Sequence, residues 1–236
     1  MRRAAFFVSA LVLLVAAPAS AQLDQLLKEL DTLTRPASDV KIGDALKQAL
    51  QVGTENAVKL TGRTDGYFTN QAIKILMPER LRSLERGLRT VGYGSEVDQL
   101  VLSMNRAAER AAPSAKRIFW DAIGGMSIED AQRILGGTPT AATDYFKSKT
   151  SASLTLAFRP IVDQAMNEVG TTRQYNELLG QAKAIPFLRT EDYDLDRYVV
   201  GKALDGLFHV VGEEERKIRT DPAARVTDLL KEVFAK

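Results

Sequence analysis

Apolar residues recur every third or fourth position along nearly the whole chain, the spacing of one helical face. Leu23, Leu26, Leu27, Leu30 and Leu33 form the first such stripe, and Pro36 ends it. Ser38 or Asp39 can cap a second helix that reaches about Gly62, with Ile42, Leu46, Ala49, Leu50, Ala57 and Leu60 in line. The pattern lapses in "GRTDGYFTNQAIKILMP". Asp65-Gly66 is a turn signal there, and Ile73, Ile75 and Met77 alternate with Lys74 and Leu76, which predicts a brief extended stretch but no sheet. Pro78 suits the first position of a helix ending near Val91, closed by Gly92 and Gly94. Ser95 opens a longer helix with Val97, Leu100, Val101, Met104, Ala108 and Ala111 on one face, and Pro113 must kink or restart it before Gly124-Gly125. Ser127 with Asp130 three residues on resembles a capping box. Thr171 or Thr172 can cap the segment "TRQYNELLGQA", and Pro186 breaks the stretch after it. The acidic run "TEDYDLD" suits the positive end of a long helix to about Arg219. Asp221-Pro222 starts a last amphipathic helix with Val226, Leu229, Leu230, Val233 and Phe234. About nine helical segments joined by short connectors predict an all-α fold, a single compact multi-helix bundle with irregular crossings and little or no sheet.

Between two of these segments lies "ILGGTPTAATDYF", Ile134 to Phe146. As a joint, it reads with Gly136 or Gly137 as a left-handed C′ residue, Thr138 as an N-cap and Pro139 at N1. Its functional alternative is an anion held by free N–H groups where the next helix begins, with Thr138 and Thr140 at hand. The loop lacks the Lys-Ser/Thr ending of a phosphate-binding P-loop and follows no strand, which favours the joint.

The first residues change the picture of where the chain works. "MRRAAFFVSALVLLVAAPASAQ" has a positive start at Arg2 and Arg3, an apolar stretch from Phe6 to Ala17 and small residues at Ala19-Ser20-Ala21. Residues 1–21 read as a signal peptide cleaved after Ala21, leaving 22–236 as one periplasmic or secreted helical domain with no transmembrane segment. The cleavage point has no cysteine, so no lipid anchor is expected. Two arginines leave with the leader, so 32 Lys+Arg against 30 Asp+Glu becomes a formal balance. That balance does not suit nucleic acid as a partner. The chain has no cysteine, which excludes disulfides, thiolate metal sites and thiol nucleophiles.

Candidate chemistry is sparse. Asn105 and Glu109 stand one turn apart beside the apolar stripe of their helix, where Ala107, Ala108, Ala111, Ala112 and Ala115 let a neighbour approach closely. One reading has both residues hydrogen-bonding an adjoining helix end, for example the N–H groups at Thr138–Thr140. The other makes Glu109 a general acid or base with Asp130 or Asp144, as glycoside hydrolysis requires of a carboxylate pair. His209, the only histidine, follows Asp205 by four residues. The pair reads either as a dyad in need of a serine or as a boundary histidine with a carboxylate neighbour, and no serine is marked as activated. Gly206 inside an apolar helix points to a tight crossing or to a ligand passing its backbone. "GEEERKIR" reads as a solvated turn with Glu213–Lys217 and Glu215–Arg219 pairs. One histidine and no cysteine argue against a zinc site, and no cofactor is expected.

"MNRAAERAAPSAKRIFWDAI", "SIEDAQRILGGTPTAATDYF", "YVVGKALDGLFHVVGEEERKIR" and "DPAARVTDLLKEVF" together resemble a bacterial family, domain of unknown function 4197, over about residues 40–234. The resemblance implies an exported helical protein and no reaction. Three function classes are open to such a chain. The leading one is a soluble envelope module binding a partner protein or an apolar small molecule between helices, with Asn105, Glu109, Thr138, Thr140, Asp144, Asp205, Gly206 and His209 as candidate contacts. The second is an acid/base hydrolase of an envelope polymer through Glu109, Asp130 or Asp144. The third is a structural or assembly factor with an exposed apolar patch.

Overall fold

The computed structural model of the chain describes residues 37–168, 175–177, 179–180 and 194–221. Among them are seven α-helices and no strand: α1 (Ala37–Gly62), α2 (Arg82–Thr90), α3 (Gly94–Ala111), α4 (Ala115–Gly124), α5 (Ile128–Leu135), α6 (Ala141–Glu168) and α7 (Leu195–Thr220). Short 3-10 turns at Glu79–Leu81 and Ala112–Ser114 lead into α2 and α4. The leader, the Leu23–Leu33 stripe, the caps at Thr171 or Thr172 and the final Asp221-Pro222 helix lie outside the described residues. The chain divides into two compact units, Met1–Val40 and Lys41–Lys236, and the helical bundle is the second.

That all-α bundle is held by the stripes the periodicity predicts. α6 packs along α7 and against α3, α4 and α5, so it is the central helix. Phe119 of α4, Phe146 of α6 and Phe208 of α7 meet edge to face, at 5.2 Å and 6.2 Å between ring centres. The alanines at 107, 108, 111, 112 and 115 are all buried. They bring α3 and the following turn close to their neighbours; a Cβ on Gly62 would stand 3.1 Å from Pro113 Cγ. Buried threonines within helices return their hydroxyls to the preceding turn, Thr61 to the Ala57 carbonyl and Thr150 to that of Phe146.

Caps and breakers act largely where the residue types place them. Ser127 and Asp130 form a reciprocal capping box on α5, and Asp194 accepts the Arg197 N–H at the start of α7. Pro113 interrupts α3 through the 3-10 turn. Gly92 ends α2 in the left-handed region, φ 99°, with the Tyr93 N–H on the Leu88 carbonyl and the Gly92 N–H on that of Arg89. That is a Schellman motif, and it sends the chain straight into α3. Pro160 sits inside α6 rather than ending it. The carbonyl it leaves without an amide donor belongs to Leu156, 76 % exposed, so water can serve it.

The 63–78 connector is irregular as expected, and residues 74–78 belong to neither a helix nor a strand. Asp65 takes φ 65°, and Gly66 is required by contact: a Cβ there would lie 2.4 Å from the Leu60 carbonyl oxygen.

Candidate functional site

The two polar residues of α3 are committed to the connector. Asn105 Oδ1 accepts the Ile75 N–H at 2.8 Å, and its Nδ2 donates to the carbonyls of Ile75 at 2.8 Å and Val101 at 2.7 Å. One buried amide thus supplies the pairing that a neighbouring strand would give. A turn later, Glu109 Oε1 accepts the N–H groups of Tyr67 at 3.1 Å and Phe68 at 3.2 Å. Its Oε2 receives Arg106 Nη1 at 2.6 Å, while Arg106 Nη2 reaches Asp65 at 2.7 Å. The hydrogen bond to Glu109, with a further one to Asp65, raises the Arg106 pKa and keeps the guanidinium charged. Both residues do bind an adjoining backbone, yet it is the 67–75 connector and not Thr138–Thr140.

The connector is bolted on its other side by Tyr67. Its fully buried hydroxyl donates to the Ala203 carbonyl of α7 at 2.6 Å. Burial pushes the phenol pKa well up, and the negative charges of Glu109 and Asp205 add to it, so the hydroxyl stays a donor. Gly206 lies against this ring: a Cβ would stand 2.6 Å from Tyr67 Cε1 and 3.1 Å from Ile73 Cβ. Gly206 therefore marks a tight crossing. Gly206→Ala gains about 1 kcal/mol of helix propensity and loses about 1–3 kcal/mol to overpacking. Because its hydroxyl anchors the ring, it cannot swing aside, and a net loss of stability is expected in chemical denaturation. An unchanged midpoint would show that the ring has room.

The diglycine joint departs from expectation in three ways. Neither glycine is left-handed; Gly136 has φ −81°, and the left-handed glycine of the described residues is Gly92. α6 starts at Ala141 with Thr138 and Pro139 in the preceding turn, so Thr138 is not the side-chain cap. The N–H groups that might have held an anion are taken by Glu215, which accepts from Ala142 at 3.0 Å, Thr143 N–H at 2.9 Å and Thr143 Oγ1 at 2.8 Å. Arg219 pairs with Glu215 at 2.9 Å and donates onward to the Ile134 carbonyl at 2.7 Å. One pair on α7 thereby closes the end of α5 and the start of α6 together. The last turn of α5 closes without a left-handed glycine: the Gly137 N–H reaches the Ile134 carbonyl at 3.3 Å, and Arg219 adds a donor to that carbonyl and to Leu135's at 3.4 Å. Gly137 is needed for closeness instead: a Cβ would lie 2.7 Å from both the Arg133 oxygen and Ala141 Cβ.

"GEEERKIR" is accordingly not a solvated run. Glu214 and Glu215 are buried, Glu214 accepting Asn56 Nδ2 at 3.1 Å and Lys217 Nζ at 2.6 Å. Glu215 pairs with Arg219 as its spacing predicts, whereas Glu213 faces His209 at 3.4 Å. Asp205 pairs with Lys202 at 3.3 Å, so no Asp205–His209 dyad forms.

The remaining candidates fall into two surface clefts. One, of about 570 Å³, brings together Asp130, Thr138 and Asp144 with Tyr145, Ser148 and Lys149. Asp130 is already engaged by the Ser127 N–H and by Arg133, and Asp144 Oδ2 meets Thr140 Oγ1 at 3.4 Å. Burial, with the Asp130 charge behind it, raises the Tyr145 pKa. Glu109 does not line this cleft, so the three carboxylates of the hydrolase reading are not brought together. The other cleft, of about 630 Å³, lies between residues 72–82 and α7 and is lined by Ile73, Lys74, Leu76, Met77, Arg80, Arg82, Tyr198, Lys202, Asp205, Gly206 and His209 among others.

The family model described as Protein of unknown function (DUF4197) matches residues 36–235. The chain belongs to that family. No match was found among curated proteins or among solved structures. Lys74 sits in the stretch without periodicity, and Arg80 and Arg82 open the helix that follows Pro78, where basic residues read as an ordinary solvated face. Glu215 did carry a signal: Leu204, Phe208, Val211, Glu215 and Ile218 fall at alternating steps of four and three, so the carboxylate stands in line with core positions. Among the described residues no group of three or more His, Asp or Glu side chains is arranged to hold a metal, and no helix is long and apolar enough to cross a membrane.

Proposed function

We propose that this DUF4197 protein is an exported cell-envelope binding module that receives a partner protein in the cleft between residues 72–82 and α7. The observation carrying this reading is Leu76, 53 % exposed at the cleft on a segment whose neighbours Ile75 and Met77 are buried. A large apolar side chain is thus presented on a backbone that Asn105 and Glu109 hold in place, which is how rigid recognition surfaces are built. The alternative ligand, an apolar molecule between helices, finds less support. The small residues of α3 that might have parted for it are packed to full burial, and both clefts are open and lined by charge. The broader assembly reading finds no coherent patch among the described residues, where the exposed large apolar side chains Leu76, Val91, Trp120 and Leu156 stand on four separate segments.

The export half rests on the leader and is tested by N-terminal sequencing of the protein from a periplasmic fraction, where Gln22 is the expected first residue. For the binding half, a photoreactive residue is placed at position 76 in living cells. A discrete crosslinked protein, absent when the probe is moved to exposed Leu156, is the expected result. Equal labelling at both positions, or none at 76, would sink the reading.

A further inference from the structure

The charges around Leu76 narrow what the partner presents. The two described acids of the cleft are both spoken for, Glu79 by Arg82 at 3.4 Å and Asp205 by Lys202 at 3.3 Å. Two cations then remain without a carboxylate among the described residues. Lys74 Nζ rests 4.1 Å above the Phe68 ring, and exposed Arg80 has no ion pair among the described residues. They stand two residues before and four residues after Leu76, at the same cleft. The backbone between is neither helix nor strand as far as Pro78; its Ile75 groups are used by Asn105 and the Leu76 carbonyl by Tyr198 Oη at 2.9 Å, while the Leu76 N–H meets no acceptor among the described residues.

We infer that the cleft takes an acidic, extended peptide segment of the partner. Its carboxylates pair with Lys74 and Arg80, an apolar side chain packs on Leu76 and Met77, and a backbone carbonyl accepts the Leu76 N–H. This inference rests on the proposed binding function and adds the ligand class to it. A peptide fits better than an anionic membrane surface. Lipid headgroups are recognised by clusters of about four to eight basic residues, and here two uncompensated cations lie in a concave cleft beside two acids. The volume of about 630 Å³ falls in the range of ordinary recognition sites.

The test selects a random twelve-residue displayed peptide library on the full chain. Enrichment of Asp and Glu flanking an apolar residue is expected. The selected peptides should bind the Lys74→Glu/Arg80→Glu variant about tenfold or more weakly, since both attractions become repulsions. Arg80→Glu alone, at an exposed position, repeats the test should the double variant misfold. Peptides without acidic enrichment, or binding indifferent to either variant, would overturn the inference, as would vesicles of anionic phospholipid binding in place of peptide with the same sensitivity. A position-76 crosslink together with non-acidic peptides refutes the ligand class and leaves the binding reading standing. Failure of both refutes the two together.

Discussion

Replacing Glu215 by alanine is expected to cost about 3–5 kcal/mol, the loss typical of removing one partner from a buried pair. The side chain is 6 % exposed and accepts five hydrogen bonds, from Ala142, twice from Thr143 and twice from Arg219. Without it the Ala142 and Thr143 N–H groups at the start of α6 lose their acceptor, and the half-buried Arg219 guanidinium loses its counter-charge while keeping the Ile134 and Leu135 carbonyls. For a domain of this size each kcal/mol moves the melting temperature by about 2–4 °C, so a fall on the order of 10 °C is expected in a thermal scan. Arg219→Ala should also destabilise, and the double variant should lose clearly less than the two singles added, because both act on one joint. A Glu215→Ala protein melting within about 2 °C of the parent would show that water, not the carboxylate, closes the start of α6.

The helices are legible in the sequence because their signals are local. Period, prolines at segment starts, the Ser127–Asp130 box and the acidic cap at Asp194 each operate within a few residues. The joint between α5 and α6 is not, because its decisive groups lie 72 and 73 positions further along the chain. A glycine pair, a threonine and a proline in a row suggest a self-sufficient turn, and a run of three glutamates suggests water. Each suggestion fails once α7 brings Glu215 and Arg219 to the loop, since a supplied carboxylate and guanidinium join a turn that closes without left-handed glycine or a threonine cap. The candidate site is less legible still. Its cleft is built on residues 72–82, which straddle the break in helical period and the start of the next helix, and its cations matter only because Glu79 and Asp205 happen to be neutralised by other neighbours. Asp205 and His209 read as a dyad by spacing alone; spacing of four also places Glu213 beside His209, and the chain uses that pair.

The second large effect is expected at Asn105, which is fully buried. Asn105→Ala strands both the N–H and the C=O of Ile75 in the core, at about 1–3 kcal/mol for each unsatisfied group, so a total of roughly 2–6 kcal/mol is expected. Asn105→Leu separates this cost from the cavity: leucine refills the volume but offers no polar atom, and it should be nearly as destabilised as alanine. Urea unfolding of the three proteins decides between the two origins, because a leucine variant near parental stability would mean that packing, not pairing, fixes the segment. The consequence reaches the cleft. Ile75 is the anchor of the irregular stretch that carries Leu76 outward, so loosening it frees that backbone while α7 stays in place. Hydrogen exchange is therefore expected to accelerate at residues 74–77 in Asn105→Leu well before it accelerates across α7. Uniform acceleration along both elements would instead make Asn105 an ordinary core residue with no special hold on the cleft.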